Sequence, residues 1–112
     1  SAASAFLHDL KNAHKEIHID IVGAVTEKLH IPGFAQLLTE ATTKKVKVVV
    51  RAEKRAVLPN ELRAIAIENP YIKNSMTIID KHISWLGAPF SESNFVVEGQ
   101  VIPTKYYPLS LK

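Results

Sequence analysis

At 112 residues the chain suits one domain, and 46% hydrophobic with 22% charged residues is an ordinary globular balance that argues against disorder. With no cysteine, disulfides and cysteine-ligated zinc are excluded, and no apolar run reaches the ~18 residues of a membrane span. The net charge of +3 is unevenly placed: Lys44, Lys45, Lys47, Arg51, Lys54 and Arg55 face only Glu53 within residues 44–55, so the rest of the chain is slightly acidic. Such a strip is either a solvated strand end and loop or a contact for a polyanion. The opening Ser1-Ala2-Ala3-Ser4 has no basic leader, and the chain is expected to be a piece of a longer, cytoplasmic protein.

Taken in order, Phe6, Leu10 and Ala13 fall at helical spacing after Ser4, a good N-cap, so a helix is expected near residues 4–14. Ile17, Ile19 and Ile21 then alternate with polar residues, the period of a strand over 16–22. Gly23 opens a loop. Pro32 suits the first turn of a second helix, whose stripe is Phe34, Leu37, Leu38 and Ala41 and whose end carries Lys44 and Lys45. The run from Val46 to Arg51 predicts a central strand parallel to the first. A third, short helix is expected from Leu58 to near Asn69-Pro70. Residues 76–80 and 82–87 predict two strands joined by a tight turn at Asp80-Lys81, and Phe95 to Ile102 a last strand. The fold expected is α/β, a mixed sheet with helices on its faces, built on a right-handed βαβ unit.

Four pieces carry a family likeness. Phe6 to Ala13 with its isoleucine-rich strand, Lys45 to Arg51, Leu58-Pro59-Asn60-Glu61-Leu62, and above all the run from Ile78 to Gly87 resemble, in that order, elements of phospholipase D-like nuclease domains, in particular those attached to DNA helicases. The likeness covers about residues 5–90 and implies a half-domain of that fold. It also implies a site: His-x-Lys, four residues, then Asp, in which the histidine attacks phosphorus and the lysine holds the phosphate oxygens. Asp80 falls on the motif's aspartate, but Lys73 stands at the histidine position and Ser75 at the lysine position. Ala88 and Phe90 replace the small residue and asparagine that follow the glycine. The residues two places after the five histidines are Leu10, Glu16, Asp20, Pro32 and Ser84, so the chain contains no His-x-Lys.

Other chemistry finds less support. His14 and His18 are four apart but straddle an expected helix–strand boundary, so no metal site is expected; Gly23 and Gly33 match no phosphate-binding loop; Ser91 and Ser93 lack a nucleophile elbow. His82 reads as a structural or exposed imidazole, and Asp80 as a turn residue whose carboxylate accepts local backbone N–H groups. Trp85 reads as core, with a base-stacking platform as the alternative, and Tyr106 and Tyr107 as a possible interface to missing chain. No catalytic residue and no cofactor are expected. The first expectation is a catalytically degenerate accessory domain of a helicase- or ATPase-type protein, contacting nucleic acid, DNA in preference to RNA, through Lys44, Lys45, Lys47, Arg51, Lys54, Arg55 and Lys73. Lys47 and Arg51 share one face of their strand. The alternatives are an active phosphodiesterase or nuclease of the same superfamily, with a homodimer as one way to complete its site, and a scaffold that contacts only protein.

Overall fold

The computed structural model describes residues 2–23, 33–86 and 103–104. The elements are helix α1 (Ala2–Lys11), strand β1 (Glu16–Ile21), helix α2 (Phe34–Thr43), strand β2 (Lys47–Ala52), a 3-10 turn (Arg55–Val57), a short helix α3 (Asn60–Arg63), and strands β3 (Ala66–Glu68), β4 (Met76–Ile79), β5 (Ile83–Leu86) and β6 (Pro103–Thr104). Five strands in the order β3-β2-β1-β4-β5 form a mixed sheet, which the two-residue β6 extends at its β5 edge. β1, β2 and β3 are parallel neighbours, while β4 is antiparallel to β1 and β5 antiparallel to β4. The fold is thus α/β, with three helices.

Register decides which side chains meet the helices. Ile17 stands beside Val48 and Ile79, and Ile19 beside Val50 and Thr77. The isoleucines of β1 therefore share a face with Val48, Val50 and Ile79, and Phe6, Leu10, Phe34, Leu38, Leu58 and Leu62 close over it as one core. The chain steps from β1 to β2 to β3 in a single direction, and right-handed crossovers then put α2 and α3 on the same side. Among the described residues the helices lie on one face of the sheet.

Local chemistry explains most of the element ends. In α2, Phe34, Leu38 and Ala41 recur at helical spacing and are buried. The helix stops in a Schellman motif: Val46 N–H bonds the Ala41 carbonyl and Lys45 N–H the Thr42 carbonyl, with Lys45 left-handed at φ 67° and Val46 buried beneath. The expected tight turn is a type I′ hairpin turn, with Asp80 at φ 53°, Lys81 at φ 65°, and His82 N–H bonded to the Ile79 carbonyl.

Some expected elements differ. The third helix ends at Arg63, and Ala66–Glu68 is an edge strand that pairs with β2. Pro32 and the strand expected over 95–102 lie outside the described residues, as do Ala88, Phe90, Ser91, Ser93, Tyr106 and Tyr107. Among the described residues no helix is long and apolar enough to cross a membrane.

Candidate functional site

Ligands of open α/β sheets gather at the carboxyl ends of parallel strands. Here that rim joins the ends of β1 and β2 to the start of β4. Val22 N–H donates to Ser75 Oγ at 2.9 Å, and Gly23 N–H to Glu53 Oε1 at 3.3 Å. Gly23 has φ 80°, a conformation glycine adopts without strain. Lys73 lies exposed two residues ahead of Ser75, and Lys54 and Arg55 lie exposed beyond β2. Arg55 is partly tethered, its backbone N–H bonding Glu68 Oε1 and its Nε the Arg63 carbonyl. Lys73 and Ser75 thus occupy the rim, but Ser75 is anchored to β1.

Asp80 sits at the far end of β4. Its carboxylate accepts the backbone N–H groups of His14, Lys15 and Glu16, the shortest bond being 2.7 Å to Lys15, and His14 Nδ1 lies 2.9 Å from Oδ2. Burial pushes this carboxyl up, but the hydrogen bonds from Lys15, Glu16 and His14 outweigh it and hold the group below its ordinary value. The expectation of local backbone bonds is corrected: the donors lie 64 to 66 residues away, and Asp80 pins the hairpin turn to the α1–β1 loop. The backbone of Asp80 completes the joint, its N–H donating to the Glu16 carbonyl at 2.7 Å.

The basic strip does not stay together. Lys44, Lys45 and Lys47 stand at the amino end of β2, Lys54 and Arg55 past its carboxyl end, and six residues of strand separate them by roughly 20 Å. Lys47 and Arg51 do share the face of the sheet away from the described helices, beside Glu16 and Asp20 of β1. There Arg51 is already engaged. Its Nε and Nη2 clamp Asp20 Oδ1 and Oδ2 at 2.8 and 2.7 Å, and His18 Nε2 lies 2.9 Å from Oδ1. Burial of Asp20 favours its neutral form, yet the His18 and Arg51 bonds prevail and keep its pKa low. A guanidinium committed to a buried carboxylate is a poor phosphate ligand, because releasing it strands Asp20. The His18–Asp20–Arg51 network escaped the sequence reading. Its signal was available: Glu16, His18 and Asp20 occupy the alternate positions of β1 and, in register, face Lys47, Val49 and Arg51.

His14 and His18 bond different carboxylates, Asp80 and Asp20, and among the described residues no group of three potential ligands could hold a metal ion. His82 is exposed, its Nδ1 2.8 Å from the Asp80 carbonyl oxygen. Trp85 is core: it meets Phe6 edge-on at 5.5 Å and donates Nε1–H to Asp9 Oδ2 at 2.9 Å, leaving no face for a base. Comparison of the chain with protein-family models and with characterised proteins gives no match.

Proposed function

We propose that this chain is a catalytically degenerate, phospholipase D-like accessory domain of a nucleic-acid-processing protein of the helicase or ATPase type, making sequence-independent contacts to nucleic acid, DNA in preference to RNA. One observation carries the reading. At the head of β4, where the resemblance asks for a nucleophilic imidazole and a phosphate-holding lysine, stand Lys73 and Ser75. An ammonium group has no lone pair with which to attack phosphorus. The Ser75 hydroxyl is engaged with the Val22 amide, and it carries no charge for a phosphate oxygen. The two histidines closest to carboxylates, His14 and His18, lie elsewhere, at the amino end and on the face of β1. What remains is an α/β platform with exposed cations, suited to contact with phosphates and without the means to cleave them.

The test is direct. The purified chain should hydrolyse neither a generic aryl phosphodiester nor single- or double-stranded DNA, and should form no acid-labile phosphoprotein. It should bind both DNA forms weakly, with Kd on the order of 10⁻⁴ to 10⁻⁶ M, and affinity should fall steeply with added salt. Hydrolysis that survives purification and disappears in Lys73→Ala would overturn the degenerate reading.

A further inference from the structure

The structure gathers more cations at the opposite end of the sheet than at the rim just described. Three segments distant in sequence meet there. Lys11 closes α1 and Lys15 precedes β1; Lys44 and Lys45 form the turn into β2, which starts at Lys47; Lys81 and His82 form the β4–β5 turn. Backbone bonds lock the segments together: Lys47 N–H donates to the Lys15 carbonyl, and Asp80 N–H to that of Glu16. The three Asp80 carboxylate contacts tie the hairpin turn to residues 14–16.

All six lysines are exposed, together with His14 and His82, and they are six of the eight lysines within the described residues. The neighbouring carboxylates are turned inward. Asp80 is buried on its backbone donors, Glu16 is partly buried with Lys47 Nζ at 3.7 Å, and Asp9 holds the Trp85 indole. Among the described residues Glu40, a turn back along α2, is the exposed acid of this end. At the other rim, exposed Lys54, Arg55 and Lys73 stand against exposed Glu61 and Glu68. The carboxyl ends of α1 and α2 add about half a negative charge each, which reduces the excess without offsetting it.

We propose that this amino-terminal rim, built from Lys11, Lys15, Lys44, Lys45, Lys47 and Lys81, is the surface that binds the nucleic-acid backbone. The inference rests on the nucleic-acid reading above and relocates its contact, away from the carboxyl-end rim and from Arg51. Geometry supports a backbone ligand. From β2 across β1 and β4 to β5 the cations span three strand spacings, roughly 14 Å. A duplex carries one charge per ~1.7 Å of axis, so such a span faces several phosphates at once. The cations lie along a row of turns at one end of the sheet, which fits a linear polyanion. Lys15, Lys45 and Lys81 come from three different loops, so folding itself assembles the row.

The experiment is fluorescence anisotropy of a labelled duplex of about 20 base pairs with the full chain, at ~50 and ~200 mM salt. The triple variant Lys15→Gln, Lys44→Gln, Lys81→Asn removes one cation from each segment, and asparagine suits the left-handed turn position, so the hairpin is kept. Far-UV circular dichroism and the thermal midpoint should match the parent's. Affinity at low salt should fall at least tenfold, and the slope of log K against log salt should drop by about 2 to 3. Lys54→Gln with Lys73→Gln should stay within twofold of the parent. Binding that follows Lys54 and Lys73 instead would overturn the present inference and leave the proposed function standing. No binding by the parent chain at low salt would overturn both. If the triple variant keeps its DNA affinity and loses affinity only for polyglutamate, the rim belongs to an acidic protein partner and the inference fails.

Discussion

Asp80 is the residue on which two distant pieces of the chain depend. Its carboxylate takes the N–H groups of three successive residues, and its backbone lies in the left-handed region at φ 53°. Asp80→Ala leaves those donors without their acceptor and puts a methyl-bearing residue in a conformation that disfavours it, so a loss of about 2 to 4 kcal/mol is expected in urea unfolding. Asp80→Asn keeps one acceptor oxygen and tolerates the left-handed backbone, and should cost about half as much. The pH dependence has a definite sign. Because the folded group titrates below its ordinary value, the unfolded chain takes up the proton first. The carboxylate's contribution is therefore present in full above the unfolded pKa of about 3.9, and is lost as pH falls through that value and then through the lower folded one. Asp20 acts in the same direction. Acid unfolding followed by circular dichroism should be shallower in Asp80→Asn than in the parent; an identical acid limb would show that the three backbone contacts do not bias the proton.

Elements with a strong period were legible in the sequence, and elements held by partners were not. The alternation of Ile17, Ile19 and Ile21 marked β1, whose alternate side chains meet the helix-covered face, and the continuous β-branched run Val48 to Val50 marked β2 as a central strand. β3 gave no such signal. Ala66-Ile67-Glu68 follows α3 with Leu58, Leu62 and Ile65 still near helical spacing, and only the β2 edge makes it a strand. The candidate site suffered in the same way. Lys73, Ser75 and Asp80 were found by position, but register alone shows that β4 carries Ser75 to one end of the sheet and Asp80 to the other. Lys11, Lys15 and Lys81 gave no cluster in sequence because three separate turns bring them together. The hairpin turn, legible as a turn, holds two non-glycine residues at positive φ. Lys81→Gly relieves one of them, and set against glycine's extra unfolded-state entropy this should stabilise the chain by about 0.5 to 1 kcal/mol. A thermal midpoint that fails to rise would mean that the tertiary contacts of the turn, not its backbone preference, fix the hairpin.

At the scale of the molecule, the sheet is graded in stability from its centre outward. β1 pairs with β2 on one side and β4 on the other, and every residue from Ile17 to Ile21 is buried. β3 has three residues, pairs among the described residues with β2 alone, and exposes Ile67 at 63%. Asn69 N–H points to the Ala52 carbonyl, so by the two-residue alternation of a strand Ala66 and Glu68 turn their N–H and C=O groups outward. Opening β1 breaks two ladders and uncovers the core beneath α1 and α2, which costs close to the global unfolding free energy; opening β3 breaks one short ladder. Amide exchange measured by NMR under native conditions should therefore be slowest at Ile17, Ile19 and Ile21, and faster by at least roughly a hundredfold at Ala66 and Glu68. The measurement also tests whether the edge stays open in solution. A second copy pairing along β3 would protect Ala66 and Glu68, and that protection would grow with protein concentration by mass action. Exchange at these two amides that is fast and independent of concentration would show that no second copy pairs along β3; protection equal to that of β1 at every concentration would contradict the graded sheet.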